Sequence, residues 1–112
     1  MKEIKNKPAK THAASILIVE DNMELSTFLL HTLSEDYNVS DVGNGQEALD
    51  FIKERQPDLI LSDVMMPIMN GDKMCNILKN NIETSHIPII LLTALNDKES
   101  IIKVYRPKPI NI

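Results

Sequence analysis

Cysteine is almost missing from this chain: Cys75 is the single one in 112 residues. One thiol excludes a disulfide scaffold and a cysteine-based zinc cluster, and it fits a reducing compartment. Long apolar runs are missing as well. None approaches the ~20 residues a membrane helix needs, and the longest, 87–92, contains Pro88. Repeats and low-complexity tracts are absent. The three histidines, His12, His31 and His86, lack the spacing of a metal site. Basic charge is scarce where a nucleic-acid binder would need it. Residues 1–14 carry +3, from four lysines against Glu3, but the remainder carries −7, from 8 basic and 15 acidic residues. That body is too acidic for direct nucleic-acid contact. The basic head has no apolar core of signal-peptide length and reads as a polar linker or tail.

What remains is 43% hydrophobic and 25% charged residues, the balance of an ordinary globular domain. Residues 15–112 read as that one domain, cytoplasmic and without membrane contact. Residues 15–19, S-I-L-I-V, form a β-branched run that stops at Glu20-Asp21-Asn22. A strand apolar on both faces belongs inside a parallel sheet. Met23, Leu25, Phe28, Leu29, Leu30 and Leu33 then recur at helical spacing, with Asn22 as N-cap and Glu24 in the first turn. A second strand is predicted over 37–42, and a turn at Gly43-Asn44-Gly45 leads to a second helix marked by Ala48, Leu49, Phe51 and Ile52. The third strand, 59–62, ends at Asp63. The loop 64–71 follows, then a third helix through Met74, Ile77 and Leu78. The fourth strand, 89–92, ends at Thr93. Residues 97–103 have a helical pattern, and 104–108 are predicted as a fifth strand.

This alternation predicts an α/β fold, a doubly wound five-stranded parallel sheet with helices on both faces. Ligands of such sheets sit beyond the carboxyl ends of the strands. There the sequence places Glu20, Asp21, Asp63, Thr93 and Lys108. Carboxylates brought together repel and raise each other's pKa, and a divalent cation removes the conflict. Oxygen ligands favour Mg²⁺ over zinc. A carboxylate beside Mg²⁺, a hydroxyl and an ammonium suits nucleophilic attack on phosphorus. Cys75 and the cluster Met65, Met66, Met69 and Met74 read as packing.

Taken together, these segments resemble the receiver domain of two-component response regulators. I-L-I-V-E-D-N resembles the first-strand signature with its acidic pair. L-I-L-S-D-V-M-M-P-I-M-N-G resembles the phosphoacceptor segment, H-I-P-I-I-L-L-T-A the fourth strand, and Lys108-Pro109 the Lys-Pro pair. The resemblance covers about residues 15–112 and implies the flavodoxin-like strand order 2-1-3-4-5. It implies that Asp63 accepts a phosphoryl group from a histidine kinase or histidine phosphotransfer domain. Asp21 and Asp63 would ligate Mg²⁺, with Glu20 acting through water and Met65 offering its backbone carbonyl. Lys108 would pair with the phosphoryl group, preceding a cis bond to Pro109. Thr93 and Tyr105 would be the conformational switch. Met65 and Leu95 fall on two positions that flank the line of water attack on the phosphoaspartate. A second copy of the chain is among the partners left open.

Two departures stand out. The chain ends three residues after Pro109, where the family places a further helix, so one flank of the sheet is expected to be exposed. The fourth crossover is also short, with eleven residues between Thr93 and Tyr105, at the lower limit of about 10–12 for a βαβ unit. A break or a displaced fifth strand is therefore expected near Lys103 and Val104. Two other functions remain open. An aspartyl-nucleophile phosphohydrolase would carry a second Asp where Met65 stands, and a large cap insertion. A pseudo-receiver would fold and bind without accepting phosphate. The basic head is compatible both with a position behind a kinase module in a hybrid sensor and with a separate regulator.

Overall fold

The computed structural model describes residues 13–96 and 99–105, the stretch from residue 93 onward by its backbone alone. Eight elements follow in order: β1 Ser15–Val19, α1 Met23–Leu33, β2 Asn38–Val42, α2 Gly45–Glu54, β3 Leu59–Asp63, α3 Gly71–Lys79, β4 Ile89–Asn96 and β5 Glu99–Tyr105. They build one sheet in the order β2-β1-β3-β4-β5. The first four strands are parallel, with Ile16 paired to both Val39 and Leu59, and Asp63 to Leu92.

The strands form where β-branched and leucine residues run together, and burial explains the run in β1. Leu17 and Val19 face one cluster, with Ala48, Ile52, Ile60, Met74, Leu78, Ile87, Ile89 and Leu91. Ile16 and Ile18 face the other, against Leu30 of α1. A strand with both faces covered cannot alternate apolar with polar. Each fully buried aliphatic side chain contributes roughly 1.5–3 kcal/mol.

All three helices start on asparagine. Asn22, Asn44 and Asn70 each accept a hydrogen bond from the amide three residues on, at 2.9 Å. This satisfies one orphan N–H per helix. Glu24, Glu47 and Asp72 lie in the first turns, where the helix dipole favours negative charge. At the other end of α3, buried Lys79 donates to the carbonyls of Ser85 and Ile87, tying the helix to the entry of β4.

The fourth crossover departs from expectation. Residues 99–103, expected in a helix, belong to a strand, and that strand is not parallel. β5 pairs antiparallel with β4, from Ile89–Tyr105 pairing at one end to Asn96–Glu99 at the other. Strand order 2-1-3-4-5 holds, but direction is reversed at the last step. The strand starts at Glu99, earlier in the chain than expected, and it runs unbroken through Lys103 and Val104, so the break expected there is absent. The physical reason is reach: a seven-residue helix rises only ~10 Å, too little to return along β4. A hairpin needs only the two residues that separate β4 from β5. E-S-I-I-K-V-Y, with its β-branched and aromatic residues, suits a strand.

Candidate functional site

The parallel strands all point their carboxyl ends to one edge. β1 delivers Glu20 and Asp21 there, and β3 delivers Asp63. Because β1 and β3 are neighbours with Val19 opposite Ser62, the three side chains converge. One carboxylate oxygen from each lies within 4.8 Å of the others. Glu20 is buried, Asp63 half-buried and Asp21 exposed. The site is thus open to solvent on one side and closed on the other.

Local hydrogen bonds fix the carboxylates. Glu20 Oε2 accepts from the Asn22 N–H at 3.0 Å, the amide just before α1. Asp63 Oδ1 accepts from the Val64 N–H at 2.8 Å and from the Met65 N–H at 3.4 Å. The loop behind Asp63 is drawn back by a bond from Gly71 N–H to the Val64 carbonyl at 2.8 Å. Gly71 is required by close approach. A Cβ there would overlap the Asp63 carbonyl oxygen and sit 3.1 Å from the Val64 Cα. In the same loop Ile68 has φ 69°, a left-handed conformation that a β-branched residue adopts only under constraint.

The electrostatics follow from this crowding. Burial raises the Glu20 pKa above the usual carboxylate value, and the nearby charges of Asp63 and Asp21 raise it further; the Asn22 amide opposes them. Asp63 is raised too, chiefly by burial, against the lowering effect of the Met65 and Val64 amides. Three oxygens from three carboxylates, two of them held in an unfavourable charged state, are a donor set for a small hard cation.

The other expected residues divide. Thr93 follows Leu92, the β4 partner of Asp63, so its backbone stands at the same edge of the sheet. Met65 is two residues past Asp63 and exposed. Tyr105 is paired with Ile89, at the amino end of β4. That is four residues back from Thr93, or ~13 Å along the strand, so the reversed β5 does not bring the two together. Lys108, its bond to Pro109 and the 1–12 head lie outside the described residues. Sequence reading missed the parts that hold Asp63 in place: the Val64 and Met65 amides and Gly71. The last had a signal in Asn70-Gly71, a cap followed by a residue without Cβ.

Comparison with known proteins agrees with this geometry. The response regulator receiver domain family matches residues 16–108. Histidine kinase P4 of Formosa agariphila is 41% identical over 106 residues, covering 88% of this chain but 8% of that protein. The polar-differentiation response regulator DivK of Brucella anthropi is 40% identical over 107 residues, covering 88% of this chain and 86% of that one. Among solved structures, the signal receiver domain of a signal transduction histidine kinase from Syntrophus aciditrophicus superposes with a TM-score of 0.73. It has 46% identity and covers 77% of this chain and 66% of that one. The chain therefore spans only a small part of the kinases it matches and most of the stand-alone regulator. It belongs to the response regulator receiver domain family, the phosphoacceptor switches of two-component signalling.

Proposed function

We propose that Asp63 is the phosphoacceptor and that Glu20, Asp21 and Asp63 hold the Mg²⁺ it needs, with the Met65 carbonyl as a further ligand. The observation that carries this is the convergence of three carboxylates within 4.8 Å at the carboxyl ends of β1 and β3. Mg²⁺ bound there neutralises the acidic cluster and the oxygens of the transferring phosphoryl group. The chain's own residues do the rest. The amides of Val64 and Met65 hold the Asp63 carboxylate in one orientation. A carboxylate oxygen attacks the phosphorus of a phosphohistidine, the P–N bond breaks, and its electron pair leaves with the imidazole. Thr93, one residue beyond Asp63's partner on β4, is the switch residue. Lys108 supplies the balancing cation. The switch role of Tyr105 requires β5 to leave the register it has here.

The donor is a histidine kinase or histidine phosphotransfer domain. Exposed apolar side chains on the segments that follow the acidic residues support such docking: Met23 and Phe28 of α1 and Met65 and Ile68 of the β3–α3 loop are exposed at 71%, 63%, 74% and 83%. Such side chains beside polar groups are the composition of a protein contact. No described helix is long and apolar enough to cross a membrane. A phosphohistidine donor charged by ATP would place the module in the cytoplasm.

Incubation with acetyl phosphate and Mg²⁺ tests the reading. It predicts incorporation of one phosphate per chain, abolished by EDTA. Continuous release of inorganic phosphate without accumulation would make the protein a phosphohydrolase instead. No incorporation and no release would make it a pseudo-receiver.

A further inference from the structure

β5 is the last strand of the sheet, and its outer edge has no strand beside it among the described residues. It is seven residues long and carries E-S-I-I-K-V-Y. Such an edge presents unpaired N–H and C=O groups to any strand that can lie along it. The backbone register settles which residues share a face. Tyr105, Lys103 and Ile101 pair with Ile89, Leu91 and Thr93, so Glu99, Ile101, Lys103 and Tyr105 alternate onto one face of the sheet. Ser100, Ile102 and Val104 take the other, in line with Leu92 and Ile90 of β4.

This pattern is complementary to itself. Two copies of β5 laid antiparallel about a twofold axis through Ile101 place Glu99 of each opposite Lys103 of the other. Ser100 then faces Ile102. Both charges of the face are matched, and opposite charges directly across a ladder are favourable where like charges are not. A parallel pairing, or one shifted by two residues, loses this match. Leu92 and Ile90, half-buried on β4, would lie in an apolar strip continuing from one protomer to the next.

From this we infer that the chain self-associates through β5, edge to edge and antiparallel, forming a ten-stranded sheet with the dyad at Ile101. The arrangement leaves the acidic edge of each protomer open, since that edge lies at the carboxyl ends of β1 and β3. It therefore does not depend on the phosphoacceptor reading.

Sedimentation equilibrium of the full chain, without phosphodonor, tests the inference together with a charge exchange. The wild type is expected as a dimer. Glu99→Lys and Lys103→Glu should each weaken self-association by at least about tenfold. A mixture of the two should form a heterodimer, because both lysines of one strand then face the two glutamates of the other. Far-UV circular dichroism confirms that both variants remain folded. Ile101→Cys should give a disulfide-linked dimer on mild oxidation, since residues facing each other at the dyad have the Cα separation a disulfide needs. Cys75 is buried and does not compete. A wild-type monomer, a dimer unaffected by either charge change, or folded variants that fail to recombine would each overturn the inference.

Discussion

Replacing Asp63 by Asn should make the metal-free protein more stable, although it destroys the proposed acceptor. The side chain keeps its volume and its Oδ1, so the bonds from Val64 and Met65 survive. What disappears is one of three negative charges within 4.8 Å. Two unit charges at that distance repel by about 3.5 kcal/mol at an effective dielectric constant of about 20, and by about 0.9 kcal/mol in water. Asp21 is exposed and Asp63 half-buried, so screening pulls the value down and about 1–2 kcal/mol is expected. The pH dependence has a definite sign. The raised pKa values of Glu20 and Asp63 mean that the folded chain binds protons the unfolded chain has released. Their effect favours folding below the unfolded carboxylate range and is lost as pH rises through the raised folded values. Asp63→Asn should flatten that decline. Urea unfolding of both proteins, in EDTA and in Mg²⁺ at neutral pH, provides the assay. In EDTA the variant should unfold at higher urea, and in Mg²⁺ the wild type should gain more than the variant. A variant no more stable than wild type in EDTA would refute the claim that the three carboxylates repel in the folded state.

Gly71→Ala should destabilise the fold by roughly 1–3 kcal/mol, because the added Cβ displaces the Asp63 carbonyl; denaturant midpoints and phosphorylation rate should both fall. Alanine at Asn22, Asn44 or Asn70 should cost about 1 kcal/mol each through the lost cap, measured by the same unfolding curves. Burial pushes the Cys75 thiol up to about 12, so a thiol reagent at mildly alkaline pH should label it only in denaturant; rapid labelling of the native protein would contradict its burial. Met65 is exposed beside Asp63 and cannot orient a water, so Met65→Asn combined with Leu95→Glu should shorten the lifetime of the phosphorylated form. An unchanged or longer lifetime would remove both residues from the account.

Local chemistry made most of the fold legible. The β-branched run of β1 and its acidic stop at Glu20-Asp21 located both a buried strand and part of the carboxylate cluster, because a parallel sheet buries strands and gathers their ends. The cap at Asn22 could be read for the same local reason. Asn44 looked like turn punctuation and Asn70 like loop, since their capping role depends on where the helices begin. The supports of Asp63 were hidden further. Nothing in Val64-Met65 announces that their amides turn back to a carboxylate, and the demand for a glycine at 71 arises only when α3 packs against β3. The largest discrepancy lies after Thr93. Family resemblance favoured a helix and a parallel strand there, while chain length did not allow them. The antiparallel hairpin resolves that conflict, and with it Tyr105 moves to the far end of β4 from Thr93.

The central claim is that Asp63, and no other carboxylate, receives the phosphoryl group. Borohydride reduction after treatment with acetyl phosphate and Mg²⁺, followed by peptide mass spectrometry, reads this directly, since an acyl phosphate is reduced to an alcohol where it stood. The account predicts homoserine at position 63 alone, and none in Asp63→Asn. Reduction at Glu20, Asp21 or elsewhere with Asp63 intact would contradict it.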